Sequence, residues 1–298
     1  MTRALLALTA VVVSACTFAR GSGSEMAIIA PVRITQPVRS DARLAILFVG
    51  HATMLIQIDD KLVLTDPLLV PTAGQLSRRH SDPGIDPADI PRLDAVVISH
   101  MHFDHLSMGS LELIENKTPR LFVPKGGLVY IPNFAFDTRE LATWKSWEKD
   151  GLRITSVPVR HVGWRYGIDI EWMNSFSGWV IEYHGMTVYF SGDTAYDADA
   201  FRKTAERFPN IDVALLPISP IHPREFMKRT HVDPKEALDA FVDLRAKVMI
   251  PMHFDTLVNG FDAPGEARTM LAEEAKKRGL ADKVQILAIG EQRVIVKR

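Results

Sequence analysis

One eight-residue stretch decides the fold and the chemistry of this chain: Ser99-His100-Met101-His102-Phe103-Asp104-His105-Leu106. Three histidines and one aspartate stand close together in it, in the order His-x-His-x-Asp-His. Imidazole nitrogens suit zinc and other borderline first-row metals, and a carboxylate among them allows one loop to supply two ions. Packing alone does not explain this crowding, because His and Asp side chains are usually exposed or paired. We therefore interpret the stretch as a metal-binding loop.

The bulk composition is that of a globular protein. The chain has 298 residues, of which 47% are hydrophobic, and a formal net charge of −1. This length allows one large domain or two small ones. The near-neutral charge without a basic stripe disfavours nucleic acid as a partner.

The first 16 residues differ from the rest and predict a secretory signal peptide. A basic residue, Arg3, precedes the apolar run 4–13, which is too short to span a bilayer because spanning takes about 20 residues. The run ends in Val13-Ser14-Ala15-Cys16, which resembles a bacterial lipobox, where the cysteine is lipidated. The alternative is an ordinary cleaved signal, but the chain's only cysteine stands at the required position. We expect a lipid-anchored protein of the bacterial cell envelope, on a periplasmic or other extracytoplasmic face.

The remaining sequence predicts a linker over residues 17–42 and one folded domain over residues 43–298. Gly, Ser and Pro in mixed sequence are typical of a tether. Strands dominate the first half of the domain, and helices are interspersed later, which predicts a mixed α/β domain with two sheets. A long loop is expected over residues 70–92, and the last strands are predicted at Val284–Leu287 and Arg293–Val296. The predicted helices are Met108–Asn116, Asp199–Phe208, Pro234–Leu244 and Pro264–Arg278.

Polar residues recur just past predicted strands, as a site at one edge of a sheet requires. They are His51, Asp66, His161, Asp193 and His253. Loops that are held by a rigid sheet carry function more often than element interiors do. We expect these residues to join the metal-binding loop.

Taken together, these motifs resemble those of the metallo-β-lactamase superfamily. The matched elements, in chain order, are Thr65-Asp66-Pro67, the His-x-His-x-Asp-His loop, His161, Gly192-Asp193-Thr194 and His253. The stretches Gly50-His51-Ala52-Thr53 and His231-Val232-Asp233-Pro234 resemble the branch that contains N-acylphosphatidylethanolamine-hydrolysing phospholipase D. Ascorbate-6-phosphate lactonase is a more distant relative by the same motifs. The resemblance implies an α/β fold, the four-layer αββα sandwich of the metallo-β-lactamase type.

The resemblance also implies two zinc ions per chain. One ion would be held by His100, His102 and His161, and the other by Asp104, His105 and His253. Asp193 and a water or hydroxide would bridge them, and the hydroxide would be the nucleophile. Asp104 would also act in catalysis, by orienting that hydroxide and accepting its proton.

Four further residues are assigned roles with an alternative left open. His51 is either a pocket residue near the metals, which we favour, or a buried histidine donating to a backbone carbonyl. Asp66 either hydrogen-bonds a ligand histidine or only shapes the turn before Pro67. His231 either contacts the substrate in catalysis or packs in the loop before a helix. Phe103 either lines the substrate side or fills core.

The favoured function is a zinc-dependent hydrolase acting on a phosphodiester, with a small molecule or a phospholipid as substrate. The aromatic stretch from Trp164 to Met173 suits an apolar or lipid substrate, although ordinary loop packing explains it equally well. A lactonase or β-lactamase-type hydrolase is the first alternative. A non-catalytic envelope protein with a structural metal is the second.

Overall fold

The computed structural model describes residues 32–74, 77–258 and 260–298. The predicted signal peptide and residues 17–31 of the predicted linker lie outside the described residues. The described part of that linker is fastened to the domain, because the Ile34 amide donates to the Gly84 carbonyl at 3.0 Å and the Arg39 amide donates to Gln57 Oε1 at 2.8 Å. Among the described residues, no helix has the length and apolar character needed to cross a membrane.

The described chain forms strands and helices in mixed order. The strands are β1 (Ala42–Gly50), β2 (Thr53–Ile58), β3 (Lys61–Thr65), β4 (Thr72–Ala73), β5 (Ser77–Arg78), β6 (Ala95–Val97), β7 (Arg120–Pro124), β8 (Asp137–Leu141), β9 (Ser146–Lys149), β10 (Leu152–Val157), β11 (Gly178–Tyr183), β12 (Met186–Phe190), β13 (Val213–Pro217), β14 (Val248–Met252) and β15 (Gln292–Lys297). The helices are α1 (Met108–Ile114), α2 (Ala198–Arg207), α3 (Arg224–Met227), α4 (Pro234–Asp243) and α5 (Glu266–Lys277). Short 3₁₀ turns cover Pro87–Asp89, Glu115–Lys117, Gly127–Tyr130, Ile170–Trp172 and Ala281–Lys283.

Two mixed sheets pack face to face. The first sheet has the order β15-β1-β2-β3-β6-β7-β8, and the second has the order β14-β13-β12-β11-β10-β9. Strand β1 alternates in the first sheet: Leu44 and Ile46 join the core between the sheets, while Leu47 and Val49 join the core on its outer face. Helix α1 covers that outer face, whereas α4 packs on β13 of the second sheet between α2 and α5. The predicted four-layer αββα sandwich is confirmed.

Parallel pairing brings the functional loops to one end of the sandwich. In the first sheet β3, β6 and β7 run parallel, and in the second sheet β12, β13 and β14 do so. The carboxyl ends of parallel neighbours open on the same edge, which is where ligands bind in open α/β sheets. Two hydrogen bonds join the sheets beside this edge: Trp179 Nε1 donates to the Ile98 carbonyl at 3.1 Å, and the Ser177 amide donates to the Ser99 carbonyl at 2.8 Å.

The helix boundaries follow their capping residues. The Asp233 carboxylate accepts hydrogen bonds from the amides of Lys235 and Glu236, and Pro234 occupies the first turn, as predicted for α4. Helix α1 ends earlier than predicted, at Ile114, where the chain tightens into a 3₁₀ turn.

Several sequence predictions were wrong. Residues 284–287 form one bridge, from Val284 to Met249, and no strand. The next rung would need an amide N–H from Pro251, which proline lacks. Strands β8 and β9 were missed because edge strands with exposed polar side chains carry little hydrophobic alternation. The predicted long loop 70–92 contains the small β4–β5 pair.

Candidate metal centre

The predicted site residues lie together at the loop end of the sandwich. His51 follows β1, Asp66 follows β3, the segment His100–His105 follows β6, His161 follows β10, Asp193 follows β12 and His253 follows β14. Three of these residues adopt a left-handed backbone that L-residues seldom occupy: His51 (φ 57°), Asp66 (φ 32°) and His253 (φ 61°). Such strain clusters at functional sites, where the surrounding structure enforces it.

The first donor group consists of His100, His102 and His161. One ring nitrogen from each lies within 4.8 Å of the other two. His100 Nε2 is 2.8 Å from His102 Nδ1, and His161 Nε2 is buried without a hydrogen-bond partner. Two nitrogens bound tetrahedrally to one zinc stand about 3.3 Å apart, so the spacing of this pair is near that of a metal site.

The second donor group consists of His51, Asp104, His105 and His253, whose ligand atoms also lie within 4.8 Å of one another. Asp104 Oδ2 is 3.1 Å from His51 Nε2, 3.6 Å from His105 Nε2 and 3.8 Å from His253 Nε2. His51 therefore lies in the site with its ring on a carboxylate oxygen. Its position beside Asp104 favours the role of a pocket residue near the metals, which stays a prediction.

Asp193 faces the second group and the neighbouring His231. Its Oδ2 is 3.2 Å from both His105 Nε2 and His253 Nε2, and 3.5 Å from His231 Nδ1. Its Oδ1 is buried without a partner. One carboxylate oxygen is thus shared by the second group, and the other oxygen has no protein partner.

Buried polar atoms without a hydrogen-bond partner indicate whether these residues suit a metal ion. In the described part of the chain, these include the Nε2 atoms of His105, His161 and His253, together with Asp193 Oδ1 and His231 Nδ1. Each such atom carries a desolvation penalty of about 1–3 kcal/mol unless a partner is present. Imidazole nitrogens and carboxylate oxygens are ligands of zinc and its neighbours. The donor set therefore fits one or more transition-metal cations.

Hydrogen bonds behind the donors fix their orientation. Asp66 Oδ2 is 2.7 Å from His105 Nδ1, and the same carboxylate accepts hydrogen bonds from Ser99 N at 2.6 Å and Ser99 Oγ at 2.5 Å. His161 Nδ1 donates to the Thr230 carbonyl at 2.8 Å. A metal-binding histidine usually donates its other ring N–H in this way, which fixes the tautomer. Nε2 of His105 and of His161 is therefore the atom available to a cation.

The histidines of the cluster differ in protonation state. Burial lowers the pKa of His51 and His161 to about 3 and that of His102 to about 4. Burial opposes charge on His253 too, but Asp193 and Asp104 raise its pKa to about 9. Most of the imidazoles are thus neutral, as metal ligation requires. Burial also opposes charge on His105, but Asp193 and Asp104 raise its pKa well above the ordinary value. Without a metal, His253 and His105 therefore both carry a positive charge.

Arg165, which the sequence reasoning did not assign, braces the metal-binding loop. Its buried Nη1 donates to the carbonyl oxygens of Met101 and Leu106, each at 2.9 Å. Its guanidinium carbon lies 4.1 Å from the ring centroid of Phe103, and this ring also contacts Tyr166 at 5.8 Å. Phe103 is therefore part of this brace and belongs to neither donor group. The signal in the sequence was an arginine four residues past His161, within an otherwise apolar stretch.

His231 is held at the edge of the cluster. It is buried, its amide donates to the Met227 carbonyl at 2.7 Å, and its carbonyl accepts from Arg224 at 3.0 Å. Arg224 also forms an ion pair with Glu236, which balances its positive charge within the protein. His231 is placed beside Asp193, where it can face a molecule bound at the metal centre.

A family model confirms the relationship that these motifs indicate. The model described as the β-lactamase superfamily domain matches residues 61–254. The chain belongs to the β-lactamase superfamily. That span runs from β3 to just past His253, so it contains both donor groups except His51. The family match therefore covers nearly all of the residues that form the candidate metal centre.

Curated relatives agree with the assignment. The chain is 32% identical over 237 residues to N-acyl-phosphatidylethanolamine-hydrolyzing phospholipase D 1 of Caenorhabditis elegans, a match that covers 74% of this chain and 66% of that protein. The chain thus spans slightly less than two thirds of this relative. It is 30% identical over 250 residues to a UPF0173 metal-dependent hydrolase of Pelotomaculum thermopropionicum, covering 83% of this chain and 97% of that protein.

A solved structure shares the fold. A metallo hydrolase from the hyperthermophilic archaeon Ignicoccus hospitalis superposes with a TM-score of 0.63 at 24% identity, over 84% of this chain and 97% of that one. At this identity the similarity concerns the fold alone.

Proposed function

We propose that this protein is a dinuclear zinc phosphodiesterase that hydrolyses a phospholipid of the N-acylphosphatidylethanolamine type. The observation that carries the proposal is the pair of adjacent donor groups with Asp193 beside them. The first ion would be held by His100, His102 and His161, and the second by Asp104, His105 and His253, with Asp193 between them. The nematode relative, which is named for this lipid, supports the substrate class.

The two cations would supply a water of lowered pKa and an electrophilic contact to the phosphoryl oxygen. The protein side of the reaction is assigned to Asp104 and His231. The Asp104 carboxylate orients the attacking water and takes its proton. The oxygen of that water bonds to phosphorus, and the bond from phosphorus to the ethanolamine oxygen breaks. The proton that Asp104 takes passes to the leaving oxygen. His231, beside Asp193 and neutral because burial lowers its pKa to about 3, can donate a hydrogen bond to that oxygen.

His51 supports Asp104 in this scheme. Its Nε2 lies 3.1 Å from Asp104 Oδ2, and its own amide donates to Thr256 Oγ1 at 2.8 Å. With a pKa of about 3, the neutral ring can donate one N–H to the carboxylate without adding charge. His51 thus fixes the direction in which Asp104 presents its oxygens.

The experiment is a substrate panel in water enriched with oxygen-18. The purified protein is offered an N-acylphosphatidylethanolamine in mixed micelles, bis-p-nitrophenyl phosphate, an acyl-homoserine lactone and a chromogenic cephalosporin. We expect phosphatidic acid carrying the heavy oxygen, together with unlabelled N-acylethanolamine. Label in the ethanolamine product would place the cleavage at carbon, and turnover of the lactone or cephalosporin alone would reject the phosphodiesterase assignment.

Matched variants distinguish the site from the fold. Asp104→Asn keeps the shape of the side chain and removes its charge, so turnover should fall by at least 100-fold. His222→Ala is the control, since His222 is half-exposed and pairs with Glu266 away from the cluster. Equal activity in both variants would remove Asp104 from the mechanism.

We also propose that Cys16 is lipidated and anchors the protein in the bacterial envelope. The support is the sequence of residues 1–16, with the single cysteine at the lipobox position. In bacterial cells fed a labelled fatty acid, the full chain should incorporate the label and sediment with membranes. A Cys16→Ala variant should lose the label, and labelling that persists would overturn the proposal.

A further inference from the structure

Exposed apolar side chains line the loop that follows His161. Tyr166 is 61% exposed, Ile168 84% and Ile170 61%. Leu128 and Val129, on the neighbouring 3₁₀ turn, are 47% and 57% exposed. We call these five residues the apolar lip. The two segments adjoin, because Tyr130 donates a hydrogen bond to Asp169 and its ring centroid lies 6.2 Å from that of Tyr166.

The lip is held in a fixed shape. The Asp169 carboxylate accepts hydrogen bonds from the amides of Arg165 at 2.8 Å and Tyr166 at 2.9 Å, in addition to the Tyr130 hydroxyl. These hydrogen bonds hold the backbone of the loop in place, while the side chains of Ile168 and Ile170 stay exposed. Such side chains cost free energy in water, and apolar patches on soluble proteins commonly mark interaction sites.

The lip is also tied directly to the metal centre. Arg165, next to Tyr166, donates to the carbonyls of Met101 and Leu106, which flank His102, Asp104 and His105. A surface that binds the lip would thus be held at a set position relative to the donor groups.

The segments around His222 and His231 also carry exposed aromatic residues. Phe226 is 50% exposed, Phe261 is 64% exposed, and the Phe261 amide donates to the His222 carbonyl at 3.2 Å. Phe226 stands five residues before His231 and is followed by the exposed Arg229 and by Lys228, which pairs with the exposed Glu225 at 2.5 Å. Apolar side chains beside cations fit the interface of a membrane that contains anionic lipids.

The chain itself enters the described structure at this end. The Ile34 amide donates to the Gly84 carbonyl, and the Gly84 amide donates to the carbonyl of Val49, two residues before His51. The 16 steps from Cys16 to Val32 can reach about 53 Å when extended. An anchor at Cys16 would therefore allow the metal-binding end of the sandwich to meet the membrane.

We propose that the apolar lip inserts into the interface of a phospholipid membrane and holds the metal centre against it. The inference rests on the proposed function, since a phospholipid substrate would be met at such a surface. Tyr166 and the half-buried Trp164 and Trp172 belong to the same loop as the two isoleucines. Aromatic side chains of this kind prefer the headgroup region, with aliphatic tips deeper in the membrane.

The experiment places an environment-sensitive fluorophore on the lip. In the full chain with Cys16→Ser, which removes the only native cysteine, Ile168→Cys is labelled with a nitrobenzoxadiazole dye. The matched control is Val242→Cys, 54% exposed near the C-terminal end of α4. The probe surface is vesicles of phosphatidylcholine and phosphatidylglycerol. We expect the label at position 168 to brighten severalfold, to shift to the blue and to be quenched by brominated acyl chains, whereas the label at 242 stays in water.

Other outcomes would overturn the inference. An unchanged signal at position 168, or an equal change at 242, would exclude insertion of the lip. A blue shift without vesicles that grows with protein concentration would assign the lip to a second copy of this chain. Since the readout needs no turnover, a protein that inserts but cleaves no phosphodiester would reject only the proposed function.

A double variant provides a second measurement. Ile168→Ser together with Ile170→Ser should lower turnover of vesicle-embedded lipid by at least tenfold and leave hydrolysis of soluble bis-p-nitrophenyl phosphate unchanged. Val242→Ser should alter neither rate. An equal loss on both substrates would show that the isoleucines act on the metal centre and not on the membrane.

Discussion

Asp66 Oδ2 lies 2.7 Å from His105 Nδ1, and both side chains are fully buried. The same carboxylate also accepts hydrogen bonds from the amide and the hydroxyl of Ser99. The histidine can therefore present only Nε2 to the cluster. The hydrogen bond to Asp66 thus fixes the ring orientation of His105, one member of the second donor group.

Asp66→Asn should weaken metal binding and activity by about 10- to 100-fold, the usual effect of losing such a partner. Asparagine tolerates the left-handed backbone at this position, but it has one oxygen for the three donors that now meet the carboxylate. Competition against a chromophoric chelator measures the affinity. Asp82→Asn, at an exposed ion pair with Arg33, is the control. Unaltered affinity in Asp66→Asn would leave Asp66 as a turn residue.

Arg165→Met should loosen the metal-binding loop. It leaves the Met101 and Leu106 carbonyls without their donor, at a cost of about 1–3 kcal/mol for each unsatisfied group. Urea denaturation should show the lower free energy of unfolding, and metal affinity should fall with it. Arg160→Met, at an exposed position, should change neither quantity. A variant with full stability and weaker metal binding would limit Arg165 to positioning.

Gly192→Ala should lower the stability of the protein far more than the addition of one methyl group usually does. A Cβ at this position would overlap Cβ and Oγ of Ser99, the residue that donates to Asp66. Gly185→Ala is a matched control, because Gly185 also has a positive φ but has nothing within 4 Å of an added Cβ. Both variants bear the left-handed strain of about 1–2 kcal/mol. Thermal melts should place Gly192→Ala below Gly185→Ala, with less bound metal.

Removal of the metal should make stability depend on pH through His253. Its pKa in the folded, metal-free protein is about 9, against an ordinary value of 6.5. Its stabilising contribution is therefore complete below pH 6.5 and is lost as the pH rises through 9. Chelator-treated protein should melt at lower temperature across this window, and His253→Gln should weaken the slope. The metal-loaded protein should lack it, since a bound imidazole is already deprotonated.

The sequence predicted what depends on local pattern. The His-x-His-x-Asp-His loop and the later strand-end residues carried the family resemblance, and that resemblance implied the observed αββα fold. The cap at Asp233 predicted the start of α4. The edge strands β8 and β9 escaped because polar exposed strands lack alternation. The bracing role of Arg165 could not be read from sequence, because it depends on carbonyls about 60 residues away.

Substrate choice depends on features that the motifs do not encode. Asp193 and the two donor groups would serve many hydrolytic reactions alike. Three residues of the apolar lip lie in the stretch from Trp164 to Met173, for which the sequence left an apolar site and ordinary loop packing as equal alternatives. The exposure of Ile168, which favours the first, could not be read from the sequence. The fold and the reaction class could be predicted from residue types. The exposed surface of the lip could not, because exposure depends on how the chain folds.

Metal content tests the central claim most directly. Purified protein, refilled with zinc and freed of loosely bound ions, should contain two zinc ions per chain by elemental analysis, because the two donor groups have no residue in common. A single tightly held ion per chain, or none, would contradict the dinuclear account.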